Sequence, residues 1–215
     1  MPAEKVSKNE LVRIFKDYSK RSTFISEYPH FGNDNNDDFY VDFINTYITG
    51  KKYKMQEDAI ELSLTTDHFD MMYLDVVSKI IHSGRTSWIK LLCLDWLNYF
   101  VLDIPAEEYT NLNYFAKRSS DEFLKLQSIL NLIQLNPKPE LLEESFEILK
   151  NTTSPALYYR YLNNITDTDN NFTTILSIDF TEKLGLLLNK SEVINENQKA
   201  DLQVKLLIYS TLVKY

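Results

Sequence analysis

Residues 119–139 decide the fold class: Ser119-Ser-Asp-Glu122-Phe123-Leu-Lys-Leu126-Gln-Ser-Ile129-Leu130-Asn-Leu-Ile133-Gln-Leu-Asn-Pro137-Lys-Pro139. Phe123, Leu126, Ile129, Leu130 and Ile133 recur at spacings of three and four, so on an α-helix they line one side. Ser119 and Glu122 stand three apart ahead of this run, the spacing at which a hydroxyl and a carboxylate satisfy the open N–H groups of a first turn. Pro137 and Pro139 then end the helix, because proline lacks the N–H and restricts the residue before it.

The same unit recurs on both sides. Towards the C-terminus, Glu140–Lys150 and Pro155–Asn164 read as short helices, the second with Ser154 as cap and proline at its first position. After a polar break at Asp167–Asn171, Phe172–Asn189 mixes partial strand-like alternation with a helical run, and helix is the reading adopted. Asn197–Val213 forms the last helix. Towards the N-terminus, Pro105 opens a helix carrying Tyr109, Leu112 and Phe115, and Thr86 or Ser87 opens Trp88–Val101, which is apolar nearly all round and belongs in the middle of the structure. Asp67 caps a helix with Asp70 in its first turn, and Ser83-Gly84 closes it. Lys54–Leu64 is a short segment, and Phe39–Thr49 ends at Gly50. Residues 21–38, rich in Pro, Gly, Asn and Asp, are the clearest loop, preceded by a basic first helix with Leu11, Ile14, Phe15 and Tyr18 inward.

The chain is thus expected to be one all-α domain over residues 1–215, with a basic first helix at 1–21, a polar loop at 22–38 and helical pairs over 39–215. Its 215 residues can bury a full core. The four glycines, Gly32, Gly50, Gly84 and Gly185, lie too far apart for either a G-x-G-x-x-G or a G-x-x-x-x-G-K-[ST] phosphate loop. Helix pairs starting near Asp38, Asp67, Pro105, Pro137 and Asn171 recur every 29 to 38 residues. In this the chain resembles HEAT-like repeat proteins, and the resemblance implies antiparallel helix pairs stacked as a short α-solenoid. The alternative is a compact multi-helix bundle.

Charge restricts the partners. The net charge is −8, which disfavours binding to nucleic acid or an anionic membrane and favours a basic protein. Residues 1–21 carry Lys5, Lys8, Arg13, Lys16, Lys20 and Arg21 against Glu4, Glu10 and Asp17, a net +3 that leaves −11 for the rest. The basic helix reads as a solvated face. One cysteine, Cys93, makes no internal disulfide and no Cys-based zinc site, and its apolar run marks it as core. The first residues lack an apolar signal core, and Trp88–Ile104 is interrupted by Lys90, Asp95, Asn98 and Asp103, so the expectation is a cytoplasmic protein with no membrane insertion. Four Asn-x-Ser/Thr sequons, at Asn151, Asn164, Asn171 and Asn189, then read as chance in an Asn-rich chain.

No complete catalytic or metal motif is present, and no cofactor is implied. Asp34–Asp38 and Asp167–Asn171 offer the oxygen-rich spacing of calcium loops, but each meets Phe39 or Phe172 where the loop glycine should stand. Glu27 and His30 have the Glu-x-x-His spacing of di-iron bundles across Pro29, only once, and His68 and His82 would lie about 21 Å apart on one helix. Two other groups remain. Glu140, Glu143, Glu144 and Glu147, at offsets of three, four and seven, share one helical face and form either an ordinary wet side or an acidic partner-binding ridge. Tyr158, Tyr159 and Tyr161 cannot all face one neighbour, which leaves at least one ring for solvent or a partner.

The function expected is therefore a non-enzymatic protein–protein interaction module with an acidic, aromatic-rich surface. Small, acidic, Asn- and Lys-rich helical chains of this kind resemble bacterial immunity proteins, and that resemblance implies a toxin domain, often basic, as the partner, neutralised by occlusion of its active site. The alternative is an all-helical enzyme or small-ligand binder with a pocket between helices near Asp95, Asn98 and Tyr99 on the apolar central helix.

Overall fold

The computed structural model describes Arg13 and residues 53–65, 69–166 and 178–212. Among these the chain forms nine α-helices and no strand: α1 Tyr53–Thr65, α2 Met71–His82, α3 Ser87–Tyr99, α4 Ala106–Ala116, α5 Glu122–Leu135, α6 Pro139–Asn151, α7 Pro155–Thr166, α8 Ile178–Lys190 and α9 Glu196–Leu212. The all-α class expected from periodicity is the class observed. The expected helices near Leu11 and Phe39, the loop at 21–38, the cap at Asp67 and the break at Asp167–Asn171 lie outside the described residues.

The helix ends refine the sequence reading. α2 is capped by Asp70, whose extended backbone lets its carboxylate accept from Met72 N at 2.8 Å, so Asp70 lies at the cap rather than in the first turn. α5 is capped by Asp121, not Ser119: the Asp121 carboxylate accepts from Phe123 N at 2.9 Å and Leu124 N at 3.2 Å. The Ser119 hydroxyl serves one step earlier, accepting from Asp121 N at 3.1 Å. A carboxylate adjacent to the helix satisfies two open N–H groups, which a hydroxyl two residues further out cannot reach.

The chain divides into two compact units, Met1–Pro105 and Ala106–Tyr215. In the first, α3 packs on both α1 and α2. Its interior is aromatic: Trp96 is fully buried and lies 5.6 Å from the Phe69 ring, 6.5 Å from Tyr73 and 4.9 Å from Phe100. α3 does bury side chains nearly all round, as its composition requires, with Ile89, Leu91, Leu92, Cys93, Leu94, Trp96 and Leu97 all inside.

In the second unit α5 packs on α4, α6 and α7, and α9 on α7 and α8. Consecutive helices run antiparallel where their bonds fix direction: Tyr158 of α7 reaches back to Leu149 of α6, and Tyr161 to Ser145. Two rows result. Lys117, just past the end of α4, pairs with Glu144 of α6, and Glu143 of α6 with Lys183 of α8. Arg160 of α7 bonds Gln127 of α5, and Asn163 of α7 accepts from Lys205 of α9. Thus α4, α6 and α8 neighbour one another on one side, and α5, α7 and α9 on the other. The core between them runs from Leu126, Ile129 and Ile133 through Leu149, Leu157 and Leu162 to Leu184, Leu188, Leu202 and Leu206.

Candidate functional site

α6 starts where Pro139, with its preset φ and no N–H to lose, occupies the first helical position. Leu141, Leu142, Ser145, Ile148 and Leu149 then face inward, which turns Glu140, Glu143 and Glu147 to solvent and leaves Glu144 half-buried. All four expected carboxylates thus occur on the helix face predicted for them, but with different surroundings. Glu144 is tied inward: Lys117 Nζ lies 2.7 Å from Glu144 Oε2 and 5.5 Å from the centre of the Tyr114 ring. Glu143 meets Lys183 at 3.1 Å and Glu147 meets Lys150 at 3.3 Å, and in both pairs more than half of each side chain is exposed. Such surface pairs are worth about 0–1 kcal/mol, so solvent or an incoming cation can replace the lysine at little cost.

The tyrosines separate. Tyr158 and Tyr161 are core residues, 2% and 0% exposed. The Tyr158 hydroxyl donates to Leu149 O at 2.7 Å, and the Tyr161 hydroxyl lies 3.1 Å from Ser145 Oγ, so both polar tips are satisfied inside the protein. Their i, i+3 spacing places them with Leu157, Leu162 and Ile165, an apolar company that the expectation of a partner surface did not weigh. Tyr159, on the other side of α7, is half-buried. Partial burial raises its phenol above the ordinary value, as do the Asp201 carboxylate beside it on α9 and the hydrogen bond between them. Of the seven residues expected at a partner surface, Glu140, Glu143 and Glu147 are exposed, Glu144 and Tyr159 are partly so, and Tyr158 and Tyr161 are not on the surface.

In the first unit, Asp95 and Asn98 are half-buried and Tyr99 is exposed, with its ring edge-on to Phe100 at 4.9 Å. The open groove in this unit lies elsewhere, at the α2–α3 turn beside α1. It encloses about 970 Å³ over a floor of Met72, Val76, Ile80 and Ile89. Arg85 reaches its wall and donates from Nη2 to Gln56 Oε1 at 2.6 Å. Neither Asp95, Asn98 nor Tyr99 lines it. Arg85 stands between two helices only in the folded chain, 29 residues from Gln56, and no spacing rule connects them.

Among the described residues no group of three or more His, Cys, Asp or Glu side chains is placed to hold a metal ion. Cys93 is fully buried, and desolvation raises its thiol well above the ordinary value, with Asp95 and Glu57 adding to the effect and Arg85 opposing it. No described helix is long and apolar enough to cross a membrane. No protein-family model matches the chain, and no curated protein or solved structure matches it.

Sequence reasoning also missed a buried set of amides. Asn113, Gln127 and Asn131 are 0–1% exposed at the α4–α5 contact. The available signal was Asn113, set on one helix face with Tyr109, Leu112 and Ala116, where a polar side chain requires a partner; Gln127 and Asn131 lie opposite the apolar stripe of α5 and gave none.

Proposed function

We propose that this chain is a protein-interaction module that captures a basic protein through the outer face of α6. The observation that carries this reading is the arrangement of Glu140, Glu143 and Glu147: three exposed carboxylates one turn apart, two of them paired with exposed lysines. A partner presenting Arg or Lys at matching spacing exchanges those weak pairs for its own and gains electrostatic steering on approach. The two rows of helices in residues 106–212 support stacked antiparallel pairs of HEAT-like type as the scaffold. An immunity protein blocking a basic toxin domain is the specific form of this function that fits the charge.

The test starts from a partner recovered from the native source by affinity capture and mass spectrometry. Its association rate with the wild-type chain should fall steeply between low and physiological salt. Glu140→Lys/Glu143→Lys/Glu147→Lys, which leaves Glu144 and Lys117 in place, should slow association by tenfold or more. A rate indifferent to both salt and charge reversal overturns the proposal.

The groove at the α2–α3 turn favours a second reading, a small-ligand binder. Its volume falls in the range of ligand pockets, and one guanidinium is set against an apolar floor. A ligand there should protect the chain thermally, and Val76→Trp, which fills the floor, should abolish the protection while leaving binding to the basic partner unchanged.

A further inference from the structure

In the second unit a continuous polar chain crosses three helices. Tyr109 OH of α4 donates to Asn131 O of α5 at 3.1 Å, and Asn113 Nδ2 donates to Tyr109 O at 2.8 Å. Asn131 Nδ2 donates across the interface to Asn113 Oδ1 at 2.9 Å, while Asn131 Oδ1 accepts from Gln127 Nε2 at 2.8 Å. Gln127 continues towards α7, where its Nε2 lies 3.4 Å from Asn164 Oδ1 and its Oε1 accepts from Arg160 Nε at 2.8 Å. The chain runs from fully buried amides on α4 and α5 to half-buried groups on α7.

α5 sits at the centre of this unit, and its buried residues run without a break from Leu126 to Gln134. Leu126, Ile129, Leu130, Leu132 and Ile133 share one side of it and Gln127, Ser128 and Asn131 the other, yet both sides are buried, so the amide side is enclosed as fully as the apolar one. Hydrogen bonds are directional, and a buried amide without a partner is costly. We propose that the Asn113–Asn131–Gln127 ladder is a register lock, fixing the rotation of α5 by holding its buried amide side between α4 and α7. In any other rotation Gln127 and Asn131 face Leu or Ile and lose every partner. Buried polar groups of this kind specify one arrangement at some expense of stability.

The test replaces the ladder by apolar side chains of similar size in the full-length chain: Asn113→Leu/Gln127→Met/Asn131→Leu. Arg160 and Asn164 are half-exposed and turn to water. The expected result is unchanged helical content with loss of amide and methyl NMR dispersion in α4, α5 and α7, and a tenfold or greater loss of hydrogen-exchange protection there. A triple variant with sharp, native-like spectra overturns the lock, because apolar burial alone then suffices. An unfolded triple variant equally overturns it, assigning the ladder to stability. Asn113→Leu alone provides an independent check, since it leaves the Gln127–Arg160 bond intact. Protection should fall in α4 and persist in α7, and an equal fall in both helices counts against the lock.

Discussion

Trp96 donates its indole N–H to Ser63 Oγ at 2.9 Å, and Ser63 donates in turn to Ile60 O at 2.7 Å. Both residues are fully buried, and they join α3 to α1 across 33 positions of sequence. Ser63→Ala removes the acceptor and leaves a buried donor, which costs about 1–3 kcal/mol. In a Trp96→Phe background the same change should cost markedly less, because no donor is left behind. Urea titration followed by circular dichroism on the four chains of this cycle measures the difference. Equal costs in the two backgrounds would show that the bond adds nothing to the packing.

Gly185 lies inside α8, where a Cβ would meet Leu206 Cδ2 of α9 at 3.6 Å, ordinary contact distance. Gly185→Ala should therefore stabilise the chain by roughly 0.5–1 kcal/mol, from helix propensity and a less free unfolded chain. Gly185→Phe should destabilise it, since the longer side chain must displace Leu206. Thermal melts of the three chains rank them.

Lys117 and Glu144 form the partly enclosed pair of the α6 face, and Lys150 and Glu147 an exposed one. Lys117→Met should cost about 1 kcal/mol, because it strands a half-buried carboxylate and gives up the contact with Tyr114. Lys150→Met should cost a few tenths at most. The difference should narrow in high salt, and denaturant titrations at two salt concentrations test both statements.

Tyr73 and Tyr109 are fully buried, and desolvation raises both phenols above their ordinary 10.0, with the Asp70 carboxylate adding to the shift at Tyr73. The folded chain thus keeps protons that the unfolded chain releases. The stability these groups contribute is complete below pH 10.0 and is lost as the pH rises above it. Denaturation midpoints should accordingly show no pH dependence from them around neutrality and should fall at alkaline pH. Tyr109→Phe should reduce that alkaline fall, while costing about 1 kcal/mol at neutral pH through the lost bond to Asn131 O.

Cys93 should be silent towards a thiol reagent in the native state, being 0% exposed with its thiol raised by burial. Addition of urea should release one equivalent of reactive thiol at the unfolding midpoint. Labelling of the native chain at the rate of a free thiol would show that α3 opens locally.

Helical periodicity made α3 to α7 readable to within one or two residues, whereas α2 is capped at Asp70, three residues after the expected Asp67. Pro139 and Pro155 marked helix starts directly, because a proline at the first turn loses no hydrogen bond. The capping residues were harder to read. Both Ser119 and Asp121 are good caps, and only the backbone path places Asp121 where its carboxylate reaches two N–H groups. Glu140, Glu143 and Glu147 were legible as an exposed face because a helix with Leu141, Leu142, Ile148 and Leu149 inward has one place left for them. Tyr158 and Tyr161 were misplaced because a tyrosine has an apolar body and a polar tip. Whether the ring is buried depends on an acceptor for its hydroxyl, here Leu149 O and Ser145 Oγ on the neighbouring helix.

The sequence by itself determined the helical class, most helix boundaries and which face of α6 is acidic, since these follow from local spacing, proline geometry and the sign of charge. The tertiary structure alone decided which carboxylates are engaged, where the groove opens and how Asn113, Gln127 and Asn131 find one another. Each of those depends on groups 18 to 40 residues apart meeting across a helix contact. Local periodicity sets which side of a helix is apolar, but a hydrogen bond or ion pair needs a particular neighbour at a particular distance, and only packing supplies it.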